Sequence, residues 1–191
     1  MSIIPAFKIG IWNAWIFMSV FLIQMLIIIL INRQISEKSH IPREFKRSKR
    51  EKFAASAANY TWLAAMFYSI FLPLRLGTLW FYAGLAFFAI GLILLAASTI
   101  DFISTPTHKV ITRGIYRFSR HPMYLAISII CLGSGLASAS WLFLFISIIM
   151  ALCFYQEAQI EEKYCLETYG QPYQKYLNKT PKWLGLPKKS E

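Results

Sequence analysis

Two polar stretches carry residue types able to do chemistry. The first, RGIYRFSRHPMYL, covers residues 113–125, and the second, EAQIEEKYCLETYGQPYQKYL, covers residues 157–177. In the first, Arg120, His121, Pro122 and Tyr124 are placed to line the mouth of one helix. Pro122 suits a first helical turn, where its missing N–H is harmless, and a helix N-terminus favours an anionic group nearby. In the second, Glu157 and Glu161 are four apart and share a helix face, while Glu162 points about 100° away. Three carboxylates on a helix leaving an apolar run are not explained by packing. Structural ion pairs with Arg113, Arg117, Arg120 and His121 are one account. The other is a site for a polar, zwitterionic cofactor, in which carboxylates take a ribose diol or an amino group while arginine and helix N–H groups take a carboxylate.

The elements that must position these residues are oily. The 191-residue chain is 57% hydrophobic and 15% charged, with mean hydropathy +0.47. A soluble domain carries about 25% charge, and a disordered chain is poor in apolar residues, so a membrane protein is the expected class. The run Ile11–Ile31 has no charge and is long enough to cross a bilayer. It is too long for a signal peptide, and no A-x-A site follows it. Further apolar runs are Phe53–Leu74, Thr78–Ile100 and Pro122–Phe154. The last is broken by LGSGLASAS and reads as a tight helical hairpin with halves of roughly 15 residues. EEKYCLETYG reads as a helix ended by Gly170, with Pro172 beyond it. The expected architecture is therefore all-α: about five transmembrane helices, the last two forming a hairpin, and a cytoplasmic helical tail. Residues 1–104 form three N-terminal spans, and residues 105–191 hold the linker, hairpin and tail.

Charge fixes the expected orientation. Twenty basic against nine acidic residues give a net charge of +11. Eight of the basic residues lie in Asn32–Lys52, four in Thr105–His121 (Lys109, Arg113, Arg117, Arg120) and six from Lys163 onward. The positive-inside rule then puts the N-terminus outside and the C-terminus and both polar stretches on the cytoplasmic face. The first basic segment reads as a topology determinant in contact with lipid headgroups. A pI near 9.7 would suggest nucleic acid in a soluble protein; in an oily chain the loops account for it, and no nucleic-acid partner is expected. Cys131, Cys153 and Cys165 show no CxxC or Cys/His spacing, so they read as plain thiols without a metal. Asp101, at the end of a run, has a helix-end or topology role. Most of Tyr116, Tyr124, Tyr164, Tyr169, Tyr173 and Tyr176 read as an interfacial aromatic belt, with Tyr124 the exception.

Arg120-His121-Pro122-Met123-Tyr124, followed after a hydrophobic hairpin by Glu161-Glu162, resembles the RHPxYxG…EE signature of the isoprenylcysteine carboxyl methyltransferase family. Tyr169-Gly170, Tyr173, Tyr176 and Thr180-Pro181-x-Trp183 are similar to that family's tail. The likeness covers roughly Thr105 to Leu186. One departure is Ala126, where the family has Gly. The resemblance implies an integral membrane methyltransferase that uses S-adenosyl-L-methionine and releases S-adenosyl-L-homocysteine. It implies a cofactor pocket of Tyr116, His121, Pro122, Tyr124, Leu125, Glu161 and Glu162, roofed by the tail. Its acceptor would be a prenylated or lipid-like molecule entering from the bilayer.

A prenylcysteine carboxylate is already ionised at neutral pH, so no general base is needed and catalysis reduces to positioning and desolvation. Arg120 is the first candidate for the cation that orients it, and Arg113 the second. Three other readings stand beside this one. A phospholipid or other lipid amine acceptor arrives protonated and needs a base, such as Glu167 or His121. A sterol-reductase-like enzyme would use NADPH. A transporter or scaffold is disfavoured because the apolar runs hold almost no ionisable residue.

Overall fold

The computed structural model describes residues 7–31 and 45–188. Among them are six α-helices and no strand: α1 (Trp15–Ile31), α2 (Lys49–Ile70), α3 (Leu79–Ile103), α4 (Pro122–Ala137), α5 (Trp141–Tyr169) and α6 (Gln171–Lys179), with a 3₁₀ turn at Gly114–Arg117. Two helices, α3 and α5, are long and apolar enough to cross a membrane. Their outward faces carry exposed Leu79, Ile90, Ile93 and Ile100 on α3 and Phe145, Ile148 and Leu152 on α5, the surface that lipid requires. Helix α1 and helix α4 are shorter apolar helices. The chain is thus all-helical with two candidate spans among the described residues. Of the first basic segment, Arg33, Lys38 and Arg43 lie outside the described residues.

The boundaries differ from the sequence reading in two places. Helix α2 begins at Lys49, inside the charged segment, because Ser48 and Glu51 form a capping box: the Ser48 hydroxyl accepts from the Glu51 N–H at 3.2 Å, and the Glu51 carboxylate accepts from the Ser48 N–H at 2.6 Å. The hairpin break falls at residues 138–140 and not across Gly133–Gly135, which stay helical. Ala139 takes the positive φ of 51° that the turn needs, and Ser140 caps α5 through the Phe143 N–H. As the sequence reading expects, the helix runs on past Phe154: α5 is 29 residues long in all, reaches Tyr169 and carries all the carboxylates of the second polar stretch. Gly170, with φ +58°, ends it.

Small residues let α3 and α4 pack closely. A Cβ on Gly84 would lie 2.3 Å from the Ala137 nitrogen and 2.5 Å from the Gly133 carbonyl, and one on Gly91 would lie 2.7 Å from Ile130 and 3.0 Å from the Ala126 carbonyl. Close approach of this kind is how helices associate where no hydrophobic drive separates them from lipid. Ala126, fully buried, sits at this crossing, where a small residue is what the backbone spacing demands. Helix α2 packs instead along α5, and both contribute to the lining of one cavity.

Candidate functional site

The 3₁₀ turn is fixed first. The Asp101 carboxylate near the end of α3 accepts the Ile115 N–H at 2.9 Å, and Gly114, at φ +55°, leaves no room for a side chain beside that carboxylate. Asp101 therefore ties α3 to the linker, a helix-end role. The linker is then clasped by the tail. The Tyr176 hydroxyl donates to the Tyr116 carbonyl at 2.8 Å. The Arg120 N–H donates to the Pro181 carbonyl at 3.1 Å, and the Gly185 N–H to the Phe118 carbonyl at 3.0 Å. These bonds hold α6 and the tail over the start of α4.

Where linker, tail and α5 meet, a polar latch forms. Glu162 Oε1 accepts from Arg120 Nε at 2.9 Å and lies 3.1 Å from His121 Nε2; its other oxygen is 3.2 Å from Lys182 Nζ. Arg120 Nη1 donates to the carbonyls of Leu177 and Thr180, both at 2.8 Å. His121 Nδ1 is 3.4 Å from Glu161. Burial alone would lower the His121 pKa, but the bonds to Glu161 and Glu162 outweigh it and raise it above the ordinary imidazole value. Tyr124 stacks between His121 (centroids 5.7 Å apart) and Phe154 (5.0 Å), and Trp183 of the tail lies 6.0 Å from His121.

Beside the latch is a cavity of about 640 Å³, lined from four directions. The linker contributes Lys109, Val110, Ile111, Tyr116 and Arg120; α2 and its approach contribute Arg47, Asn59 and Trp62; α5 contributes Phe154, Glu157, Glu161 and Tyr164; and α6 contributes Tyr173 and Tyr176. Its size falls within the usual range for small-molecule sites. The aromatic belt gives way to a different arrangement: all six of Tyr116, Tyr124, Tyr164, Tyr169, Tyr173 and Tyr176 line this one cavity. Burial pushes the hydroxyl pKa values of Tyr116, Tyr173 and Tyr176 up, so they stay protonated. Glu157 Oε1 is buried with no hydrogen-bond partner among the described residues, an unusual state for a carboxylate oxygen.

The structure brings Tyr116, Arg120, Tyr124 and Glu161 to the cavity wall. His121 and Glu162 stand behind that wall in the latch. Pro122 is buried at the first turn of α4, and half-buried Leu125, one turn on, is not part of the lining. Arg113 and Glu167 are exposed and do not line the cavity. Sequence reasoning missed Arg47, Asn59, Trp62 and Lys109. A signal for Arg47 was present, since Ser48-x-x-Glu51 marks a helix start and so puts Arg47 at the mouth of α2.

These features define a helical, membrane-compatible protein with an aromatic cavity that carries charges of both signs. Residues 79–172, from α3 to the first residues of α6, match the family model described as phospholipid methyltransferase. An 80-residue stretch, 41% of this chain, is 32% identical to the protein-S-isoprenylcysteine O-methyltransferase of Schizosaccharomyces pombe (strain 972). The match spans about a third of that relative's length, 34%. Both findings agree with the resemblance carried by Arg120-His121-Pro122-x-Tyr124 and Glu161-Glu162, and they make this region similar to membrane methyltransferases.

Proposed function

We propose that the protein transfers a methyl group from S-adenosylmethionine to an amphipathic, membrane-embedded acceptor, the carboxylate of a prenylcysteine-like molecule. The observation that carries this is the single cavity in which motif residues and tyrosines meet. Its residues fit a flat, zwitterionic cofactor. Tyr116, Tyr169, Tyr173 and Tyr176 offer aromatic faces, Tyr116 and Tyr173 add hydroxyl donors, and Glu161 and the unpartnered Glu157 oxygen suit an ammonium or a ribose diol. Bound there, S-adenosylmethionine would supply an electrophilic methyl group.

The chain's own part is positioning. Arg120 is held by Glu162 and two carbonyls through Nε and Nη1, which leaves Nη2 as the edge without a partner among the described residues. A cation held so firmly needs no reorganisation when it meets a carboxylate. His121 and Glu162 keep Arg120 and the tail in place, while Tyr124 and Phe154 exclude water. The acceptor's apolar chain would lie toward Trp62, Ile127 and Phe154, with the reactive head on the cytoplasmic side and the N-terminus of the protein outside.

A second reading is favoured by one observation. The unpartnered Glu157 oxygen is placed to take a proton, as an amine acceptor would require; Glu167 and His121 are not, being respectively outside the cavity and already paired. That reading makes a lipid amine the acceptor.

The experiment is calorimetric binding of S-adenosylhomocysteine to purified protein, followed by tritiated methyl transfer to a farnesylcysteine analogue and to phosphatidylethanolamine. Micromolar binding is expected, weakened by Glu161→Ala and by His121→Ala. Unchanged affinity in both variants sinks the site assignment. Binding of NADPH in place of S-adenosylhomocysteine sinks the reaction class.

A further inference from the structure

We infer that Arg47, at the entrance to α2, is a second cation that binds the anionic headgroup of the acceptor, opposite Arg120. This assignment rests on the methyl-transfer reading. Arg47 lies outside residues 79–172, the part that matches the methyltransferase family model, yet it lines the same cavity as Arg120, Tyr124 and Glu161.

Three observations carry it. The first is that its backbone is fixed on both sides. Two residues earlier, Phe45 packs edge-on against Tyr164 of α5 (centroids 5.4 Å apart), and Lys163 lies over the same ring at 5.4 Å. One residue later, Ser48 caps α2. The segment is pinned to α5 by one end and turned into a helix at the other, so Arg47 is delivered to the cavity between them.

The second concerns charge pairing. Glu51, four residues on, is engaged in the capping box, and Arg47 forms no ion pair among the described residues. Arg120, by contrast, already binds Glu162 and two carbonyls. Arg47 therefore brings a guanidinium that shares the cavity with Glu157 and Glu161 without being locked into a pair with either, and its planar fork matches a carboxylate or phosphate in two hydrogen bonds.

The third is its surroundings. Helix α2 adds Ala55, Ala58, Asn59 and Trp62 to the lining. Two small residues, an amide and an apolar ring leave space for a headgroup beside the start of an apolar chain. Tyr173, Tyr176 and Lys109 belong to the linker and tail. The cavity thus has one wall from the linker, α5 and tail and one from α2, and the α2 wall selects the acceptor.

Carboxylate and lipid phosphate share the anionic chemistry Arg47 would recognise, so the test uses both. Wild type, Arg47→Ala and Arg47→Lys are compared in nanodiscs with N-acetyl-S-farnesylcysteine, its neutral carboxamide, and phosphatidylethanolamine. S-adenosylhomocysteine affinity is read in parallel. Arg47→Ala is expected to raise the acceptor KM about tenfold with kcat changed far less, to abolish the preference for binding the acid over the carboxamide, and to leave S-adenosylhomocysteine affinity unchanged; Arg47→Lys restores part of the loss. A KM effect with the farnesylcysteine alone assigns the carboxylate, and one with the phospholipid alone assigns the phosphate. An Arg47→Ala protein that keeps both its acceptor KM within about twofold and its preference for the acid overturns the inference. Should wild type bind no S-adenosylhomocysteine and methylate neither acceptor, the methyl-transfer reading falls. The acid-versus-carboxamide binding preference then still decides whether Arg47 holds an anion.

Discussion

Two groups of carboxylate chemistry sit within two turns of α5, and they are treated in opposite ways. Glu162 is saturated: Arg120, His121 and Lys182 all reach it. Glu157, on the same helix, has a buried oxygen with no partner among the described residues. Glu161 stands between these extremes, lining the cavity while paired with His121 at 3.4 Å. Helical geometry separates them, since residues four apart share a face and the next residue turns about 100° away. The difference teaches how one helix serves two tasks. Carboxylates matched by protein cations hold the tail in place, and those left unmatched have oxygens free to meet a ligand.

This contrast can be broken by mutation. Glu162→Gln should have the largest effect, because it leaves Arg120 and Lys182 without their anion in a half-enclosed place. Removing one partner of such a network costs about 3 kcal/mol, visible as a lower thermal midpoint in detergent and faster hydrogen exchange in α6. An unchanged midpoint would mean that the latch is not structural.

His121→Gln comes next, with a loss of about 1.5 kcal/mol at low pH from the hydrogen bonds to charged groups. Its signature is pH dependence. The folded-state pKa of His121 is raised above its unfolded value. The stabilisation is therefore fully present below the unfolded imidazole pKa, about 6.5, and is lost as pH rises through the folded value. Wild type should lose stability over that window relative to His121→Gln, and parallel pH profiles of the two midpoints would contradict the pairing.

Glu161→Ala should weaken S-adenosylhomocysteine binding about tenfold, or 1.4 kcal/mol, with a smaller change in midpoint than Glu162→Gln. The reverse ranking would place Glu161 in the latch and not at the ligand.

Glu157→Gln is expected to change stability least, by less than about 0.5 kcal/mol, since no pair is broken. Its readout is transfer to phosphatidylethanolamine against transfer to farnesylcysteine. Loss of the first alone sharpens the second reading, in which Glu157 is the base.

Much of the frame was legible in the chain. The long apolar runs specify helices α3 and α5, Pro122 starts α4 where its missing donor does no harm, and Gly170 ends α5. Other parts were not legible. The break in the hairpin was read from composition as LGSGLASAS, but glycines at 133 and 135 serve close packing in a helix and not a turn. Most of the tyrosines look interfacial one by one, because nothing local shows that six of them converge. In the sequence Arg47 is one of eight like charges, because sharing a cavity with Glu157 and Glu161 joins positions more than a hundred residues apart.

By itself, then, the sequence determined the class of the protein, the helical periodicity of its carboxylates and the motif around His121. These depend on hydropathy, backbone chemistry and spacing along one helix, all of which are local. Only the tertiary structure decided which charges are matched and which stay open. That depends on where α2, the linker and the tail come to rest against α5, and a contact between distant segments leaves no periodic trace in the chain that forms it.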